Sequence, residues 1–143
     1  MKFKMLFAAI VFAVAVSSTH ANVTAGDLAG DCKATVKVIR NPEALKTLTP
    51  AEALDDGLCV GYVKGFMDGV DGMLGANEDG SFNQFAFVKG TTPGQVIEAF
   101  FSLMEAYPEQ AKEDPSVMVF LAAVKAKLAT VTKVHVAPKA MEQ

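Results

Sequence analysis

Apolar residues recur at helical spacing in four stretches of the chain, and each stretch opens on its own start signal. Thr24 stands three residues ahead of Asp27 in a capping-box arrangement, after which Leu28, Cys32, Val36 and Ile39 share one face until Asn41-Pro42 ends the run. A short turn over residues 42–46 follows. Thr49-Pro50-Ala51-Glu52 then opens a second helix, with a hydroxyl at the N-cap, Pro at the first position and Glu at the third. Thr92-Pro93-Gly94-Gln95 opens a third, which Tyr107-Pro108 closes. Asp114-Pro115 opens the last, with Val117, Leu121, Val124 and Leu128 as its expected inner stripe.

Two stretches lack this period. Residues 76–89 contain Asn77, Glu78, Asp79, Gly80, Ser81 and Asn83 ahead of Phe85 and Phe87, and read as a long loop with at most a short strand at its end. Beyond Thr130 the pattern fades. Val134 and Val136 alternate ahead of Pro138 as an edge strand would, but a frayed tail over residues 131–143 is the preferred reading. There is no tandem repeat and no low-complexity linker, so the expected fold class is all-α, a small bundle of four main helices.

The second helix carries the most information. Leu54, Leu58, Cys59, Tyr62, Val63, Phe66, Met67, Val70 and Met73 cover more than half its circumference, leaving Lys64, Asp68 and Asp71 a narrow polar arc. This predicts a central position in the bundle. Gly57, Gly61, Gly65 and Gly69 recur every fourth residue and make a smooth seam, although each glycine costs about 1 kcal/mol against alanine inside a helix. The first explanation is close approach of a neighbouring helix of the same chain; the second is a homodimer contact or partner groove.

The start of the chain reads differently. Lys2 and Lys4 precede an uninterrupted apolar run from Met5 to Val16, and small residues follow around Thr19-His20-Ala21. This is the pattern of a secretory signal peptide over residues 1–21, too short in its apolar part to span a bilayer. The expected organisation is a signal peptide (1–21), a helical domain (22–130) and a tail (131–143), with a periplasmic product that has no membrane contact after cleavage. Removing Lys2 and Lys4 takes the net charge from −3 to −5. An acidic domain with no Lys/Arg cluster is a poor match for nucleic acid.

Cys32 and Cys59 both fall in the exported part, where an even count suggests one disulfide; two buried free thiols are the alternative. Two cysteines with the one remaining histidine, His135, cannot fill a four-ligand zinc site without carboxylates, so no metal and no cofactor are expected. Asp68 and Asp71, three apart, are the one candidate acid/base pair, and a solvated face with Lys64 and Asp68 paired at i,i+4 is the simpler reading. His135 alone in the tail cannot build a nucleophilic triad. Phe100, Phe101, Leu103, Met104, Met118, Phe120 and Leu121 could line a lipid pocket, but a core is the simpler account.

In order along the chain, a cysteine in the first helix, LCVGYVKGFMDGVDG, GTTPGQVIEAFFSLMEAYPE and DPSVMVFLAAVKAKL resemble the Rap/Tai family of immunity proteins, which protect bacteria from type VI secretion amidase effectors. The resemblance runs from about Thr24 to Ala129. Its most specific parts are Cys59-Val60-Gly61-Tyr62 with Gly65 and Asp68, and Gly90-Thr91-Thr92-Pro93-Gly94-Gln95 with Tyr107-Pro108-Glu109. It implies an exported helical domain, a disulfide mapping to Cys32 and Cys59, homodimers, and inhibition of a peptidoglycan amidase by occlusion of its active site. Many members carry a second cysteine pair; here Ala86 stands at the first of those places and no cysteine follows Cys59.

The leading expectation is therefore a non-enzymatic periplasmic inhibitor whose partner is a cognate amidase effector. Its partner-binding element is placed in the loop of Asn77, Glu78, Asp79, Ser81 and Asn83, with the acidic loop 109–114 as competitor. A small disulfide-stapled periplasmic chaperone or stress protein is the alternative function.

Overall fold

Helix caps set the starting points of the fold. The computed structural model describes residues 23–134 apart from 73 and 80. The expected signal peptide, Met73, His135 and the rest of the expected tail lie outside the described residues. α1 (Ala25–Arg40), α2 (Pro50–Val70) and α3 (Pro93–Ala106) each begin with a complete capping box. Thr24, Thr49 and Thr92 accept from the N–H of Asp27, Glu52 and Gln95, whose side chains accept the threonine N–H in return. α4 (Pro115–Lys125) starts on Asp114, whose carboxylate accepts from the N–H groups of Ser116 and Val117. Short 3-10 turns at Pro42–Thr47 and Pro108–Lys112 link α1 to α2 and α3 to α4.

The molecule is mostly helical, as expected, with a disulfide between α1 and α2. Cys32 and Cys59 are fully buried, and the order of the Cys32–Cys59 and Lys37–Glu52 pairs makes the two helices antiparallel. The central helix is α1, not α2. α1 packs against all three other helices and both 3-10 turns. It buries Ala25, Leu28, Cys32, Ala34, Thr35 and Val36, whereas α2 buries only Cys59 and Val63. Leu54 and Leu58 of α2 remain 64% and 52% exposed. Apolar residues around most of a helix thus marked an open apolar surface, because too few neighbours exist to cover them.

A similar correction applies to α4. Val117 and Leu121 are 50% and 48% exposed, Val124 is half-buried, and Leu128 lies past the helix end. The buried face is Met118, Val119, Ala122 and Ala123. Ala122 and Ala123 let α4 lie close to its neighbours, so the buried face combines two small side chains with Met118 and Val119. Phe100, Met104 and Met118 belong to the buried core, with Phe101 and Leu103 packed against it, so the expected core reading of the aromatic and Met residues applies to these five.

Residues 74–87 form a hairpin instead of a loop, and the expected frayed tail begins as a strand. β1 (Leu74–Ala76), β2 (Phe82–Phe87) and β3 (Ala129–Val134) make an antiparallel sheet in the order β1-β2-β3. The registers are Leu74↔Gln84 and Phe85↔Val131. Two aromatic contacts attach β2 to the helices: Phe87 meets Phe66 of α2 edge-on, and Phe85 meets Phe120 of α4 edge-on. α2 hands over to the hairpin at Gly72, whose φ of 79° suits glycine and whose N–H donates to the Phe85 carbonyl. α4 hands over to β3 through a Schellman turn. The Leu128 N–H donates to Ala123 and the Lys127 N–H to Val124, with Lys127 at φ 59° where glycine is usual.

Candidate partner-binding surfaces

The turn between β1 and β2 gathers four of the five predicted binding residues into one hydrogen-bonded unit. The Asn77 N–H donates to the Ser81 carbonyl at 2.8 Å, and the Asn77 amide donates to the Ser81 hydroxyl at 3.0 Å. Asn83 donates to the Asn77 side-chain oxygen at 2.9 Å. Asp79 accepts from both the N–H and the hydroxyl of Ser81. Ser81 is fully buried, which is tolerable because its polar groups are all engaged. Glu78, the fifth residue, is exposed and makes no hydrogen bond or ion pair among the described residues.

Lys133 of β3 completes the unit by pairing with Asp79. Its hydrogen bond to the carboxylate, followed by those of the Ser81 hydroxyl and N–H, lowers the Asp79 carboxyl to about 2. Lys133 was invisible to sequence reasoning because it fell in the expected tail. The register signal was present, however: Asn83 pairs with Lys133 across the sheet, so strand alternation places both on one face. The turn lies at the end of β2 opposite Phe87, about 16 Å along the strand from the contact with α2.

The competing loop is built into the helical body. The Ala25 N–H donates to the Glu113 carbonyl, Ala111 sits against Gly26, and Asp114 is occupied in capping α4. Glu109, Glu113 and Asp114 are all exposed, but the Asp114 carboxylate is already engaged as a cap.

The candidate acid/base pair is divided between two structural tasks. Asp68 pairs with Lys64 at 2.7 Å on an exposed face, worth a few tenths of a kcal/mol. Asp71 accepts the Phe87 N–H at 3.0 Å and so fastens α2 to β2. Cys32 and Cys59 are joined and offer no thiolate. Among the described residues, no group of three His, Cys, Asp or Glu is placed to hold a metal ion. No described helix is long and apolar enough to cross a membrane.

Among the described residues, no helix lies against the glycine seam. A Cβ built on Gly57, Gly61, Gly65 or Gly69 would meet no described heavy atom within 4 Å. Close approach of another described helix of the same chain is therefore overturned as the explanation. The glycines instead keep one side of α2 low and open, beside the exposed Leu54 and Leu58.

Two surfaces thus stand out, a pre-organised polar turn and an open glycine face. Residues 24–127 match the family model described as Rap1a immunity proteins. No curated protein and no solved structure matches the chain.

Proposed function

The chain belongs to the family of Rap1a immunity proteins, and from that membership we propose that it neutralises a type VI secretion peptidoglycan amidase by binding over its active site. The family match over residues 24–127 carries this reading, and the turn at residues 77–81 supports it. An inhibitor of this kind works by fit. It needs a surface that is already in its bound shape, so that little conformational entropy is lost on association. The turn supplies such a surface: its side chains are tied to one another, to the backbone and to Lys133, and Glu78 is left outward to meet the partner. The reading assigns the protein no chemistry of its own. Its site of action is the periplasm, reached by a signal peptide at residues 1–21, and the buried disulfide is consistent with an oxidising compartment. Self-association, which the resemblance also implies, is read from sedimentation of the purified protein across concentration.

The test uses the amidase encoded by the neighbouring reading frame. Purified protein should abolish its peptidoglycan hydrolysis at a one-to-one ratio of subunits, and a strain lacking the protein should become sensitive to it. Inhibition should weaken when Glu78 and Asp79 are replaced together by Ala. An amidase that remains fully active in excess protein defeats the proposal. The exposed leucines of α2 are the observation that favours a chaperone instead. A chaperone should suppress aggregation of unrelated denatured proteins, to which a dedicated inhibitor is indifferent.

A further inference from the structure

The open side of α2 is not uniform. Its N-terminal half faces a groove of about 430 Å³ along the junction with α1, lined by Val23, Leu28, Asp31, Gly57, Leu58, Gly61 and Tyr62. Two features of this groove bear on what would fill it. The first is its low floor: Gly57 and Gly61 present only backbone, so an incoming side chain can lie against the helix itself. The second is its charge. Asp31 stands in the lining and is partly withdrawn from water, and burial, then Asp55, then Asp27, hold its carboxyl above the usual range. Among the described residues none of these three carboxylates is in an ion pair with a lysine or arginine.

An apolar slot lined by one carboxylate, Asp31, with no ion-pair partner among the described residues has a defined complement. We infer that this groove is a second contact with the effector, taking a lysine or arginine side chain whose aliphatic stem lies along Leu28, Leu58 and Tyr62 and whose cationic end meets Asp31. The inference rests on the immunity reading for the identity of the partner. The chemistry selects a cation with a long apolar stem over an acidic or purely apolar group. A carboxylate would add to the repulsion already present at Asp31, and an aliphatic side chain would leave it unrelieved. Lysine and arginine bury their stems while keeping the charged head at a polar rim, which matches the order of the lining.

Two arms test this on the full mature chain. In the first, affinity for the amidase of the neighbouring reading frame is measured by calorimetry for wild type, Asp31→Asn, Gly61→Leu and Gly69→Leu. Asp31→Asn should weaken binding about tenfold and Gly61→Leu about a hundredfold. Gly69→Leu, on the same open side but outside the groove, should leave it unchanged. At both sites an added Cβ meets no described neighbour, and circular dichroism of each leucine variant checks that it folds. In the second arm, amide spectra are recorded during titration with the blocked peptides Leu-Lys-Leu and Leu-Glu-Leu. Shifts at Gly57, Leu58, Gly61 and Tyr62 with the lysine peptide alone support the inference. They support it even where the amidase does not bind, an outcome that removes the proposed function and leaves the groove's preference standing. Full affinity in Asp31→Asn and Gly61→Leu, together with no shifts, overturns the inference while the immunity reading survives. A Gly61→Leu change that dissolves a dimer without altering amidase affinity overturns it too, because the occupant is then a second copy of this chain.

Discussion

α1 and α2 are joined by one disulfide and start with the same kind of cap, yet they occupy opposite situations. α1 is pressed near its N-terminus, where a Cβ on Gly26 would lie 3.0 Å from both the Cβ and the carbonyl oxygen of Ala111, although a Cβ on Gly30 would meet nothing. α2 is open: its four seam glycines meet nothing, and its large aliphatics Leu54 and Leu58 face outward. The same residue type therefore reports packing at Gly26 and vacant surface along α2. A small-residue stripe permits close approach without showing that a neighbour in the same chain makes it.

The largest test of this contrast removes the link between the helices. Cys32→Ala with Cys59→Ala should cost about 3 to 4 kcal/mol, given a separation of 27 residues, as measured by urea denaturation. Paired leucine truncations come next. Leu28→Ala on α1 should cost about 2 to 5 kcal/mol, whereas Leu58→Ala on α2 should stay within about 0.5 kcal/mol. Equal losses would break the comparison. Smaller and opposite in sign are the glycine changes: Gly61→Ala should stabilise by about 0.5 to 1 kcal/mol, while Gly26→Ala should destabilise by about 1 kcal/mol or more as Ala111 is displaced. Thermal melts of both variants settle the sign.

The smallest effect concerns what the helices share. Thr24 and Thr49 hydrogen bonds lower the carboxyls of Asp27 and Glu52 below their ordinary values. Their folded values lie below the unfolded ones, so the stabilisation is full above the unfolded values near 4 and is lost as pH falls through the folded ones. Both caps should therefore loosen together under acid. Amide shifts at the two N-termini, followed from pH 6 downward, check this, and a cap that persists in one helix alone would separate the pair again.

Much of this fold is legible before any coordinates. All four helix starts follow from Thr or Asp preceding Pro or a capping carboxylate or amide, because those side chains satisfy N–H groups that have no partner inside the helix. Which face a helix buries is another matter. In α4 the stripe of Val117 and Leu121 has the right period, but Ala122 and Ala123 are chosen for the core because closeness outweighs side-chain size there. The sheet escapes detection for a local reason: no glycine follows α4 to announce its end, since Lys127 takes the left-handed position. Without that stop, β3 reads as a tail, Lys133 loses its context, and the residues around Asp79 read as a loop when they form a braced turn. The turn's own residues are legible as polar and loop-forming, and their mutual hydrogen bonds are local to the hairpin, but the brace from Lys133 depends on a strand pairing that is remote in sequence.

That pairing has a consequence in time. β3 is the last described element to leave the ribosome, while β1, β2 and the turn between them are made before α3 begins. The helices can cap themselves and the cysteines can meet from a chain that is still incomplete, but the lysine that braces the turn arrives only after all four helices. A product cut short before Ala129 would keep every helix cap and its disulfide partners, and still present an unbraced turn. Completeness of the chain is thus written into the shape of the surface assigned to partner recognition.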